Sequence, residues 1–116
     1  MNIAIVGGRD FNDYNLLKKT LNNFIENKSF LNAIVSGGAE GADRLAERYA
    51  AELQVDMIIY RPDYKKHGRL AALQRNTEII ENSDIVFAFW DGKSRGTLDS
   101  ITKAKNLEKK LFIIEY

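Results

Sequence analysis

The chain has 116 residues, 17 of them Lys or Arg and 16 Asp or Glu, for a net charge of +1. This length suits one layered core and leaves no room for a separate effector module, and the near-neutral balance disfavours nucleic acid or an anionic membrane as a partner. With no cysteine, disulfides, thiolate catalysis and cysteine-ligated zinc are excluded, and with no signal peptide or long apolar span a cytoplasmic protein is expected.

Ile3 to Val6 reads as a first apolar strand. After the loop Gly7-Gly8-Arg9-Asp10-Phe11, an amphipathic helix capped by Asn12 carries Tyr14, Leu17, Leu21, Phe24 and Ile25 on one face. The sequon Asn27-Lys28-Ser29 is read as a helix end. Ala33 to Val35 is a second strand, and Ser36-Gly37-Gly38-Ala39-Glu40-Gly41-Ala42-Asp43 turns it into a helix with Ala42, Leu45, Ala46, Tyr49, Ala50 and Leu53 inward. Val55 to Tyr60 is a third strand, and Tyr64, Lys65 and Lys66, after the lone Pro62, read as a basic loop. A third helix is expected from near Gly68 to Asn82 with Leu70, Leu73, Thr77 and Ile80 inward. Ile85 to Phe89 is a fourth strand. Through Trp90 to Thr97 it leads into a fourth helix, Gly96 to about Leu107, with Ile101, Ala104 and Leu107 inward, and Leu111 to Ile114 is the fifth strand.

Strands alternating with helices imply a parallel sheet covered on both faces. The expectation is a single α/β domain over residues 1–116: a Rossmann-like, doubly wound, parallel five-stranded sheet of order 3-2-1-4-5. In that order the winding reverses between the first and fourth strands, and a crevice opens at their carboxyl ends. All the glycine clusters then share one edge of the sheet.

Gly8, Gly37, Gly38, Gly41, Gly92 and Gly96 sit where a strand enters a helix, an arrangement that aims backbone amides and a helix N-terminus at phosphate. Arg9 can fork onto phosphate and Asp10 can accept from ribose hydroxyls, with a mutual surface pair as the plainer reading. Asp43, in a first helical turn, is a loop brace or hydroxyl acceptor beside Ser36. Ser94, Gly96 and Thr97 form a second anion cradle or, more simply, an N-cap. Phe11 and Trp90 could stack a base, although aromatic residues at strand ends more often cover a core. Spacing alone leaves Arg75 and Asn76 structural. His67 is a lone histidine, and no metal is expected, Mg²⁺ entering only with a polyphosphate ligand. Gly92-Lys93-Ser94 mimics the end of a Walker A loop, but Phe87 stands where its first glycine belongs, and G-x-G-x-x-G is absent after the first strand. ATP hydrolysis and NAD-dependent dehydrogenation are therefore disfavoured.

Taken together, Gly7 to Phe11, Ser36 to Asp43, Pro62 to Gly68, Arg75-Asn76 and Asp91 to Thr97 resemble the YspA and cpYpsA-related branch of the SLOG superfamily. The resemblance implies a Rossmann-like fold that binds nucleotides or nucleotide-derived ligands, among them NAD-derived signals of anti-phage defence, and relatives that include LOG phosphoribohydrolases and DprA. It raises Arg75 and Asn76 to site residues. It also implies oligomeric assembly. It does not bring hydrolysis with it: the LOG enzymes carry a glutamate where Gly96-Thr97 places Ser100, and Asp99 is displaced by about 100° around the helix. Ala71-Ala72-Leu73 also departs from the family's Ala-Gly-Pro before the arginine.

The function expected is binding of a nucleotide or an NAD- or ADP-ribose-derived ligand, as a sensor or as a sponge for an immune nucleotide signal in a bacterial or phage setting. No catalytic residue is assigned. The alternative is an N-glycosidic hydrolase or transferase using Asp10, Asp43 or Asp99. Single-stranded DNA binding of the DprA kind ranks below both on net charge.

Overall fold

A computed structural model describes residues 1–26 and 30–116. The sequon Asn27-Lys28-Ser29 lies outside the described residues. The elements are β1 (Asn2–Gly7), α1 (Tyr14–Phe24), β2 (Ala33–Ser36), α2 (Ala42–Leu53), β3 (Asp56–Ile59), α3 (Tyr64–His67), a 3₁₀ turn (Gly68–Leu70), α4 (Ala71–Glu81), β4 (Ile85–Trp90), α5 (Arg95–Asn106) and β5 (Lys110–Glu115). All five strands are parallel in the order β3-β2-β1-β4-β5, as the crossover argument requires.

Strand periodicity divides the core. Ile3 and Ile5 of β1 face one layer with Ile34, Phe87 and Phe89, covered by Leu17 and Leu21 of α1 and Ala46 and Tyr49 of α2. Ala4 and Val6 face the other with Val35, Val86 and Ala88, covered by Ile79 and Ile80 of α4 and Ile101 and Ala104 of α5.

Local readings need four corrections. The cap of α1 is Asp13, whose carboxylate accepts from the Leu16 amide at 3.0 Å, one residue beyond the expected Asn12. Tyr64 to His67 is one turn of helix, capped by the Asp63 carboxylate at the Lys66 amide, 3.1 Å away. Leu70, in the 3₁₀ turn, and Leu73 of α4 face outward, 58% and 43% exposed, and the buried residues of α4 are Ala71, Asn76, Ile79 and Ile80. Asn76 turns inward because α5 offers its amide partners, which carries the leucines outward. Leu107, just past α5, is likewise exposed.

Candidate functional site

At the carboxyl ends of β1 and β4, where the winding reverses, a cleft of about 480 Å³ opens between the β1–α1 loop, α2, α4 and α5. Gly8, Arg9, Asp10, Asp43, Arg75, Asn76, Ser94, Gly96 and Thr97 line it together. Two arginines and three aspartates, Asp91 included, share this one cavity. Such a mixture suits a ligand that carries an anion and several hydroxyl or amino donors better than a bare anion.

Two hydrogen bonds fix Arg75 in the cleft wall. Its Nη1 donates to Gly37 O at 2.8 Å and its Nε to Asn76 Oδ1 at 3.0 Å. Both acceptors are neutral, and among the described residues Arg75 makes no salt bridge, although its charge lies near enough to Asp43 to act on that carboxyl. Gly37 makes the approach possible: a Cβ there would lie 2.8 Å from the guanidinium carbon and 2.9 Å from Asp43 Oδ2.

Asp43 is 7% exposed and accepts from the Ala39 amide at 3.1 Å. Burial raises its pKa, and the neighbouring Ser36 hydroxyl, the Ala39 amide and the Arg75 guanidinium offset only part of that rise. On the opposite wall Ser94 caps α5, its Oγ accepting from the Thr97 amide at 3.4 Å, and the Arg95 and Gly96 amides have no acceptor among the described residues. Asp91 Oδ1 shapes the preceding turn by accepting from the Lys93 and Ser94 amides, each at 2.8 Å, and these bonds lower its pKa.

The other expected residues lie outside the cleft lining. Phe11 is 2% exposed and stacks on Phe89 with ring centroids 4.9 Å apart, so it is a core residue beyond reach of a base. Trp90 Nε1 donates to Ser94 O at 3.0 Å, tying the indole to its own loop. Ser36 is fully buried, its hydroxyl donating to Ile5 O at 2.8 Å. Gly38 O accepts from Arg61 Nη1 at 3.3 Å. Gly41, at φ +75, packs against the β1–α1 loop, where the Ala42 amide donates to Gly8 O at 3.1 Å. Gly92, at φ +82, is exposed with no heavy atom within 4 Å of a built Cβ.

The family model for YspA, cpYpsA-related SLOG proteins matches residues 1–67. The chain belongs to that family. Over 109 residues it is 29% identical to the Gene 61 protein of Mycobacterium phage D29, covering 89% of this chain and 87% of that protein. Among solved structures it is similar to the DNA processing protein A of Helicobacter pylori, described for its single-stranded DNA binding mode. That likeness has a TM-score of 0.75 and 25% identity and covers 97% of this chain and 64% of the other. DprA of Streptococcus pneumoniae gives 0.80 at 19% identity, covering 99% of this chain and 50% of the other. The protein TM1055 gives 0.69 at 19% identity, covering 95% and 71%. The chain thus spans about two thirds and one half of the two DprA chains, and the likenesses at 19% identity show the fold alone.

These neighbours correct one expectation. Net charge had disfavoured nucleic acid, yet a protein of the same fold binds single-stranded DNA. A whole-chain sum of +1 is silent about where the charges lie. Among the described residues no helix is long and apolar enough to cross a membrane.

Two residues of the cleft, and one beside it, are not among the expected site residues. Ser100, noted only as the residue in the glutamate position, lines the cleft and is 2% exposed. Asp91 stood in a quoted motif, where its place before Gly92 signals an Asx turn. Tyr116 carried no signal: its hydroxyl donates to Asp10 Oδ1 at 2.6 Å and its ring packs on Phe11. Burial, the Asp10 hydrogen bond and nearby acidic charge raise that phenol's pKa.

Proposed function

We propose that this SLOG domain binds the phosphorylated ribose of a nucleotide or of an ADP-ribose-derived ligand in the carboxyl-edge cleft and holds it intact. The observation that carries the reading is Arg75, a half-buried guanidinium oriented by two neutral acceptors in a cavity that also receives the N-terminus of α5. Phosphate meets Arg75 and the α5 amides, and Asp10 and Asp43 accept from sugar hydroxyls. Two of the three candidate carboxylates favour holding over cleaving, Asp99 being engaged by Asn76 and Lys103 and Asp10 by Tyr116, and the third, Asp43, is tied to the Ala39 amide. A binder of this kind acts as a sensor or a sponge, and the phage relative fits action inside a host cell. The test is incubation with nucleoside monophosphates, ADP-ribose and cyclic ADP-ribose, followed by heat release and chromatography. Recovery of intact ligand is expected. Release of free base, or no retention of any panel member, would overturn the reading.

A second reading rests on a separate observation. Tyr64 is 61% exposed, and Arg61, Lys65, Lys66 and Arg69 around it are also exposed with no salt bridge among the described residues. An aromatic flanked by free cations suits stacking and phosphate contact with single-stranded nucleic acid. Binding of oligo-dT that weakens steeply with salt and is lost when Lys65, Lys66 and Arg69 become Ala is the expected result. Oligo-dT binding that persists in that variant would remove this surface from the account.

A further inference from the structure

Asn76 is 7% exposed, and its two amide ends meet opposite chemistry. One end faces acceptors only, Asp99 Oδ2 at 3.1 Å and Gly96 O at 3.4 Å, and must be the NH₂. The other faces Arg75 Nε–H, a donor, at 3.0 Å and must be the oxygen. Lys103 Nζ reaches the same Asp99 Oδ2 at 2.8 Å and also donates to Leu73 O at 2.7 Å, which pins α5 to α4. The Lys103–Asp99 pair is itself half-buried, with side chains 25% and 24% exposed.

We propose that Asp99 and Lys103, neither of which lines the cleft, are positioning residues that set the aim of Arg75 through the orientation of the Asn76 amide. The proposal rests on the reading of Arg75 as the anion-binding group. Asp99 accepts from Asn76 Nδ2 and so keeps Asn76 Oδ1 turned toward Arg75. With Asp99 removed, Asn76 Nδ2 keeps only the longer bond to Gly96 O, and the Lys103 ammonium, held by Leu73 O but without its carboxylate, draws the Asn76 oxygen to itself. The amide then turns its NH₂ toward Arg75 Nε–H, donor against donor, and the guanidinium leaves its place. Lys103 alone is therefore harmful, and Lys103 with Asp99 is a clamp.

The test uses the full chain with ¹⁵N-detected arginine side chains, a readout that needs no ligand, together with AMP titration. In Asp99→Ala the Arg75 Nε–H resonance should shift and exchange with water faster. Adding Lys103→Met should restore part of the wild-type signal, a rescue that a merely structural role of Asp99 would not give. AMP affinity should fall about tenfold in Asp99→Ala when Arg75 is present and not at all in an Arg75→Ala background, the coupling of two groups acting as one. Asp99→Asn, which keeps the side-chain volume, should act in the same direction with smaller size and guards against a variant that fails to fold. An unchanged Arg75 Nε–H signal in folded Asp99→Ala, or additive losses in the double variant, would overturn the relay. Wild-type protein that ignores AMP while its Arg75 signal responds to Asp99→Ala would sink the nucleotide reading and leave the relay standing.

Discussion

On the β1 and β2 side of the cleft the glycines are hemmed in. A Cβ at Gly7 would lie 2.6 Å from Phe89 O, and one at Gly41 2.5 Å from the Arg9 carbonyl carbon. Across the cleft, built Cβ atoms at Gly92 and Gly96 would meet no heavy atom within 4 Å. The same residue type thus serves two ends. The first wall uses glycine to bring backbone against backbone and to seat Arg75 and Asp43, and it faces the cleft with Gly8, Arg9, Asp10 and Asp43. The second uses it to keep the first turn of α5 uncovered, and there the amides stay open. A glycine-rich strand-to-helix turn is therefore no phosphate site until its amides are shown to be free.

The contrast can be broken most forcefully at Gly41. Gly41→Ala forces a side chain onto a backbone at φ +75 and into the β1–α1 loop, and should cost about 3 kcal/mol in urea denaturation. A loss below about 1 kcal/mol would mean that this wall yields, and the packing account of Gly41 would fail.

Asp43 sharpens the comparison through pH. Its folded pKa lies above the ordinary 3.8, so the folded chain holds the proton more tightly than the unfolded chain does. The resulting stabilisation is present at low pH and is lost as pH rises from 3.8 through the higher folded value. Wild type should therefore lose ground against Asp43→Asn across that window in denaturation series at stepped pH. A stability difference that stays flat, or changes in the opposite sense, would contradict the buried-carboxylate reading.

The smallest effect on the fold is expected at Gly96. Gly96→Ala meets no neighbour and should change stability by less than about 0.5 kcal/mol, while the new methyl crowds the open amides and weakens AMP binding severalfold. Unchanged affinity would move the phosphate away from α5.

Strand order was legible because five apolar runs alternating with helices leave one economical winding, and the site edge followed from it. Nine of the expected ligand residues reach the cleft through that topology. What escaped depended on partners far away in sequence. Phe11 stacks on Phe89 and Tyr116, neither of which its own loop announces. The inward face of α4 was misread because hydrophobicity favours Leu70 and Leu73, whereas Asn76 gains partners on α5 that only the packed structure supplies. Arg75 was recovered by family resemblance, since a solvated arginine and a seated one look alike in a helical sequence.

The most direct test of the central claim is calorimetric titration of AMP and ADP-ribose into wild type and Arg75→Ala, with folding checked by thermal melting. A phosphate held by Arg75 predicts binding by wild type that weakens by roughly 1.5 to 3 kcal/mol, about tenfold to a hundredfold, in a variant that melts near the wild-type temperature. Equal affinity in the two proteins would return Arg75 to a structural role and contradict the account.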